Sequence, residues 1–194
     1  MQLMDCLFGI KGKDFVVLAA DGTVEFSIVK FKDTEDKIAV VDGDKLFASA
    51  GAQGERTQLM DHLEKNIHLY SIRNGFKLTT QAAASFTRGE MARFLRESPF
   101  QVNLLIGGYD KVTGPSLYYI DHLSAMQEVS RGAHGYGAYF VLGLLDRYWK
   151  PDLTEAEAVE IVGKCIQEIR VRFLMDRNNF VVKIVDKDGA RLVE

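Results

Sequence analysis

The sequence predicts an α+β fold with mainly antiparallel pairing, in which two stacked sheets each carry a pair of helices on the outer face. Two observations predict it. The first fifty residues alternate short apolar runs with turn signals at strand length, and the helical patterns that follow come in two adjacent pairs separated by a block of strands. That order differs from the strand, helix, strand alternation that builds a parallel sheet. A third observation bears on domain count. Pro99, Pro115 and Pro151 are the only prolines, each lies between periodic segments, and no Pro/Ser-rich linker occurs, so one domain over 1–194 is expected.

Strands are expected at Leu3 to Ile10, Asp14 to Ala20, Val24 to Phe31, Lys37 to Val41 and Leu46 to Ala50. Between them stand Lys11-Gly12-Lys13, Asp21-Gly22, the charged run Lys32 to Asp36, and Asp42-Gly43-Asp44. Gly and Asp tolerate the backbone angles of tight turns, so the segment reads as a meander of short antiparallel strands. From Glu55 the period lengthens: Leu59, Leu63, Ile67 and Tyr70 recur every three or four residues until Asn74-Gly75, a helix stop. A second helix follows, capped by Thr79 or Thr80, buried at Ala83, Phe86, Phe94 and Leu95, and closed by Ser98-Pro99. Val102 to Ile106 and Ser116 to Asp121 form a hairpin around the Asp110 to Pro115 turn. Its nearly all-apolar first strand places it centrally in a sheet. The second helical pair runs from Gly137 to Tyr148 and from Thr154 to about Asp176. Thr154 and Glu157 have capping-box spacing there, and Val159, Ile161, Val162, Cys165, Ile166, Ile169 and Phe173 form the buried stripe. Phe180 to Val185 is the last strand.

Composition removes several classes of function. With 24 basic and 27 acidic side chains the net charge is −3, which gives no electrostatic reason to expect nucleic acid or a membrane surface as partner. No apolar stretch approaches the roughly 20 residues of a membrane span. Met1 to Ile10 is apolar but lacks a basic lead and a small-x-small cleavage pattern, so no secretory leader is expected. Cys6 and Cys165 are too few for a disulfide framework and lack zinc spacing, which suggests a reducing compartment, the cytoplasm or nucleus.

Weak motifs fall away in turn. Gly132-x-x-Gly135-x-Gly137 would need glycine at Phe140 to match a dinucleotide loop, so it reads as a close backbone approach ahead of a helix. His62 and His68 do not share a helical face, and His122 and His134 read as loop residues without ligand spacing, so no metal and no cofactor is expected. Glu155 and Glu157 serve their helix N-terminus. The informative pair is Asp21, at one strand end, and Lys37, at another strand start. A buried lysine beside a carboxylate can tune a nucleophile's proton; the alternative is a surface ion pair.

The run Phe8-Gly9-Ile10-Lys11-Gly12-Lys13-Asp14-Phe15-Val16-Val17-Leu18-Ala19-Ala20-Asp21 resembles the opening strands of proteasome β-type subunits. Asp36-Lys37-Ile38, Phe47-Ala48-Ser49-Ala50-Gly51, Leu104-Leu105-Ile106-Gly107-Gly108-Tyr109-Asp110 and Leu117-Tyr118-Tyr119-Ile120-Asp121 continue the resemblance in order, over essentially the whole chain. It implies the four-layer αββα sandwich of N-terminal nucleophile hydrolases. The short start, Ala133-His134-Gly135-Tyr136-Gly137-Ala138 and Leu145-Asp146-Arg147-Tyr148 look most like the subunit at the fourth position of the eukaryotic β ring. The α-type subunits carry an extra N-terminal helix, for which the start leaves no room.

Active relatives use an N-terminal threonine exposed by removal of a propeptide. Carried over residue by residue, the nucleophile position falls on Asp5, the two supporting positions remain as Asp21 and Lys37, and the serine of a G-S-G-S turn matches Ala138. A later Asp and Ser pair matches poorly: Asp176 needs a gap, and Asn178-Asn179 offers no serine. Cys6 is one residue out of register, which in a strand turns it to the opposite face. The resemblance therefore implies a non-catalytic structural β subunit of the 20S core particle, which acts in ubiquitin- and ATP-dependent protein degradation in the cytoplasm and nucleus. Its helices Glu55 to Asn74 and Thr80 to Ser98 would face the α ring, and its second helical pair the opposite β ring. The third and fifth β subunits would be its lateral neighbours, and protein substrates would pass through the chamber it walls. The alternative is an active threonine- or cysteine-type hydrolase of the same fold.

Overall fold

The computed structural model describes residues 4–26, 29–174 and 177–193. In chain order these form β1 (Cys6–Lys11), β2 (Phe15–Asp21), β3 (Val24–Phe26), β4 (Val29–Lys32), β5 (Ile38–Val41), β6 (Lys45–Gly51), α1 (Gln53–Asn74), α2 (Thr80–Phe94), β7 (Val102–Asp110), β8 (Gly114–Ile120), β9 (Met126–Glu128), β10 (Arg131–Gly135), α3 (Ala138–Tyr148), α4 (Glu155–Arg172), β11 (Phe180–Asp186) and β12 (Gly189–Leu192). Two five-stranded antiparallel sheets result, ordered β10-β1-β2-β11-β12 and β5-β6-β7-β8-β9.

The all-apolar runs decide the layering, since a strand buried at every residue must be covered on both faces. In β2, Val16, Leu18 and Ala20 face the second sheet, while Val17 and Ala19 face α3 and α4. Leu46, Ala48, Leu105 and Leu117 complete the layer between the sheets. The outer face of the first sheet is closed by Val141 and Leu145 of α3 and by Ile161, Val162, Cys165 and Ile169 of α4. Leu59, Leu63 and Ile67 of α1, with Ala83, Ala84 and Met91 of α2, close the second. The four-layer αββα sandwich is thus formed, with the expected central hairpin at β7 and β8.

The helix ends follow their local chemistry. Gly75 ends α1 in the left-handed region at φ 74°. The Thr79 hydroxyl accepts the Ala82 N–H of α2, and Thr154 with Glu157 makes a complete capping box on α4. In α2 most of the buried positions are small: Ala83, Ala84 and Thr87 lie against the sheet with Met91, whereas Phe86, Phe94 and Leu95 are only half-buried, unlike their expected burial. Close approach explains this, because a side chain at Gly108 would lie 2.3 Å from the Thr80 hydroxyl oxygen.

The expected meander is corrected. β1 and β2 pair in one sheet and β5 and β6 in the other: β1 and β2, buried at nearly every residue, take interior places in the first sheet, whereas β5 is the edge strand of the second. Val24 to Phe31 is two short strands forming a separate ribbon, β3 with β4. β9, β10 and β12 were not expected. The glycine-bearing run at 131–135 is the edge strand β10, which pairs with β1. His134 is accordingly a strand residue, contrary to its loop expectation. Its ring stacks on Tyr119 with centroids 4.0 Å apart, and Nε2 lies 3.0 Å from the Leu104 carbonyl oxygen. Burial pushes the His134 imidazole down to about 4, against the pull of that hydrogen bond. Its neutral form is the folded form, so its contribution to stability is present above pH ~6.5 and is lost as pH falls through about 4. Chemical denaturation across that window should show a steeper acid loss for the native chain than for His134→Gln. Equal slopes would contradict a folding role for the neutral ring.

Candidate functional site

The N-terminal end of β1, the C-terminal ends of β2 and β6, and the residue before β5 meet at one rim of the two sheets. Asp21 ends β2 as a polar residue after six apolar ones, and its side chain is 1% exposed. A buried carboxylate needs several donors. Asp21 Oδ1 accepts the Cys6 N–H at 2.9 Å and the Lys37 ammonium at 3.1 Å, while Oδ2 accepts the Thr23 N–H at 3.3 Å. The Arg177 Nε stands 3.4 Å from Oδ2. Burial pushes the Asp21 carboxyl above the usual carboxylate range, and Lys37 opposes that push. The Lys37 side chain is also 1% exposed, so the expected pair exists and is buried.

Asp5, one residue before β1, joins them. Its Oδ1 accepts from the Lys37 ammonium, and its Oδ2 accepts the Gly51 N–H at 2.8 Å. Lys37 is therefore clamped between two carboxylates. Beyond Asp21 the network continues through Arg177, whose guanidinium binds both oxygens of Glu25, one of them at 2.9 Å. The same guanidinium donates to the Met4 carbonyl at 3.2 Å and lies over the Phe173 ring. Five ionisable side chains are thus linked: Asp5, Asp21 and Glu25 against Lys37 and Arg177.

Cys6 points away from this network. It packs in the core layer beneath α3 and α4, where a side chain at Gly137 would come within 2.8 Å of its Cβ. Burial, and then Asp21, push its thiol up to about 12. Ala138 is the first residue of α3, directly after the glycine that packs against Cys6, and its side chain carries no hydroxyl. Asp176 lies outside the described residues. Asn178 and Asn179 are exposed; the Asn178 carbonyl accepts from Arg170, and the Asn179 amide donates to the Asp33 carbonyl.

The rim brings together Asp5, Asp21 and Lys37, whereas Ala138 starts α3 and packs against the core layer that holds Cys6. Sequence reasoning missed Arg177, Glu25 and Gly51. Arg177 follows α4 in a stretch with no periodic pattern, and its burial depends on a contact with a residue 152 positions away, so no local signal marks it. Elsewhere His62 pairs with Glu90 and His68 with Asp42, and among the described residues no group of three His, Cys, Asp or Glu could hold a metal.

As a chemical device the rim holds charge in place. Both oxygens of Asp5 and of Asp21 are engaged, Lys37 serves two anions at once, and the nitrogen of residue 5 is a peptide nitrogen preceded by Met4, whose carbonyl is tied to Arg177.

A family profile described as "Proteasome subunit" matches residues 4–185. The chain is 50% identical over 188 residues to "Proteasome subunit beta type-2-A" of Arabidopsis thaliana, covering 97% of this chain and 92% of that protein. It is 43% identical over 193 residues to "Proteasome subunit beta type-2" of Dictyostelium discoideum, covering 98% and 97%. Against "Proteasome subunit beta type-4" of Saccharomyces cerevisiae the identity is 42% over 193 residues, covering 98% of each. With a profile match over almost all of the chain, end-to-end similarity to β-type subunits and the αββα sandwich of N-terminal nucleophile hydrolases, the chain belongs to the proteasome subunit family.

Proposed function

We propose that the chain is a non-catalytic structural β subunit of the 20S proteasome core particle, acting in ubiquitin- and ATP-dependent protein degradation in the cytoplasm and nucleus. One observation carries the proposal: the side chain at position 5, where active relatives place their nucleophile, is a carboxylate locked between Lys37 and the Gly51 N–H. A carboxylate so held has no hydroxyl to attack a peptide bond and no free amine beside it to take a proton. Asp21 and Lys37 then serve as a buried charge pair that fixes strand ends, and Ala138 stands where a supporting serine would be.

The role is architectural. The chain occupies the fourth position of a β ring, between the third and fifth subunits, and walls the chamber through which protein substrates pass. Helices α1 and α2 face the α ring, and α3 and α4 meet the opposite β ring. The proposal rests on the end-to-end similarity to β type-2 subunits.

Purified particles test it. The chain's intact mass should retain residues 2–5, and peptide turnover should vanish once the other active subunits are inactivated genetically. A mature N-terminus at Asp5 or Cys6, or turnover that persists, would sink the proposal. Cys6 separates this reading from the cysteine-hydrolase alternative. With its thiol pushed up to about 12, almost no thiolate exists at pH 7, and an active-site-directed electrophile should leave Cys6 unlabelled. Stoichiometric labelling of Cys6 in native particles would favour the alternative.

A further inference from the structure

We infer that Asn74 is a site of spontaneous deamidation, which the end of α1 holds closed in the folded chain and which opening of that one turn exposes. The inference goes beyond the architectural reading and does not depend on it.

Of the five asparagines, Asn74 alone precedes a glycine. Glycine has no Cβ to shield its backbone nitrogen, and it lets the chain fold back on the preceding side chain. In such a pair the Gly75 nitrogen can attack Asn74 Cγ. The new bond joins that nitrogen to Cγ, the Cγ–Nδ2 bond breaks, and the amide leaves as ammonia with the proton of the Gly75 nitrogen. One water then opens the five-membered imide, at Cγ to give aspartate or at the former main-chain carbonyl to give isoaspartate. Water is the one co-reactant, and both residues are exposed to it.

In the folded chain both reacting groups are engaged elsewhere. The Gly75 N–H donates to the Ser71 carbonyl at 2.9 Å, within the left-handed cap at φ 74°. The nitrogen must shed that proton before it attacks. Helical side chains lean toward the helix N-terminus. The Asn74 amide follows that lean, donating from Nδ2 to the Tyr70 carbonyl at 2.9 Å, so Cγ is drawn away from the Gly75 nitrogen.

Tertiary contacts support the closure from both sides. The Ser71 hydroxyl donates to Asp42 Oδ2 at 2.7 Å, and the Lys77 ammonium donates to the Asp42 carbonyl at 2.5 Å. One residue of the β5–β6 turn, its side chain 3% exposed, therefore anchors the chain before and after the Asn-Gly pair. The Tyr70 and Phe76 rings meet edge to face around the same pair, with centroids 5.8 Å apart. The products do not restore the cap. A carboxylate at position 74 stands at the negative end of the α1 dipole and cannot donate to Tyr70. Isoaspartate adds a main-chain atom, which moves the Gly75 N–H out of register with the Ser71 carbonyl.

The experiment incubates assembled particles, and the same full chain unfolded in urea, at one mildly alkaline pH and one temperature. Mass spectrometry of the proteolytic fragment that spans residue 74 follows conversion of the amide to the acid. The unfolded chain should convert at least roughly tenfold faster than the folded one, because reaction in the folded state waits on local opening. Particles carrying Ser71→Ala with Lys77→Met, which removes both ties to Asp42, should convert roughly threefold faster than native particles. Asn74→Gln, whose attack would need a larger ring, should form no acid at position 74 in either state. An unfolded chain that keeps its amide overturns the site, and native particles that convert as fast as the unfolded chain overturn the closure. A double variant no faster than native overturns the role of Asp42. Where the double variant does not incorporate, Ser71→Ala alone must convert faster than native, and an unchanged rate there overturns that role equally. Acid formed at position 74 in the Asn74→Gln chain would show that ring closure onto Gly75 is not the reaction.

Discussion

Replacing Lys37 with methionine should destabilise the chain by about 3–5 kcal/mol and sharply lower its incorporation into particles. Methionine keeps much of the volume and removes only the charge. In the native chain Asp5, Asp21 and Glu25 face Lys37 and Arg177; in the variant they face Arg177 alone. Asp21 is the costly member, since it is 1% exposed and cannot turn to water. Burial already pushes its carboxyl up, and Lys37 is the foremost opposing influence, so the variant's Asp21 should take up a proton at higher pH. A proton on Asp21 removes the charge but also weakens its acceptance of the Cys6 and Thr23 N–H groups, which hold the start of β1 and the turn after β2. The control is Lys187→Met in the turn between β11 and β12, whose pair with Asp188 is 73% exposed on both sides and should leave melting and assembly unchanged. Melting of the assembled particle, and the fraction of tagged subunit found in it, check the expectation. Native values for Lys37→Met would show that the pair does not couple to folding.

Supplying a nucleophile alone should leave peptide turnover at background. Deleting residues 1–4 and making Asp5→Thr places a hydroxyl and a free amine beside Asp21 and Lys37. The change also removes the Met4 carbonyl that holds Arg177 and the carboxylate that holds both Lys37 and the Gly51 N–H. Ala138 still brings no hydroxyl. Groups that act as a catalytic unit are strongly non-additive, so one repair recovers little while another member is missing. The measurement is peptide turnover in particles whose other active subunits are inactivated genetically. Turnover that rises only when Ala138→Ser is added supports the roles proposed for positions 5 and 138. Turnover within tenfold of a catalytic β subunit without that second change would overturn them.

Much of this molecule was legible along the chain because the responsible interactions are local. Leu59, Leu63 and Ile67 repeat at helical spacing and all three are buried. Thr154 and Glu157 cap α4 as their spacing implies, and the apolar run at 102–106 sits in a central strand. Asp21 and Lys37 could be singled out because each stands at the end of an apolar strand, where a polar residue is either solvated or employed. Cys6 turned to the core and Asp5 to Lys37, as a period of two along β1 requires.

What the sequence by itself determined, then, was the set of strands and helices that local period specifies, the layered class that buries their apolar faces, and the absence of a hydroxyl at positions 5 and 138. Only the tertiary structure decided which sheet each early strand joins, since β1 and β5 are both apolar enough for either and partner choice depends on long-range pairing. It also decided that Asp5 closes onto Gly51 across 46 residues, and that Arg177 reaches Glu25 across 152. A buried charge network is a property of convergence: each member is tolerable only when its partners arrive from distant segments, and no local period records where those segments meet.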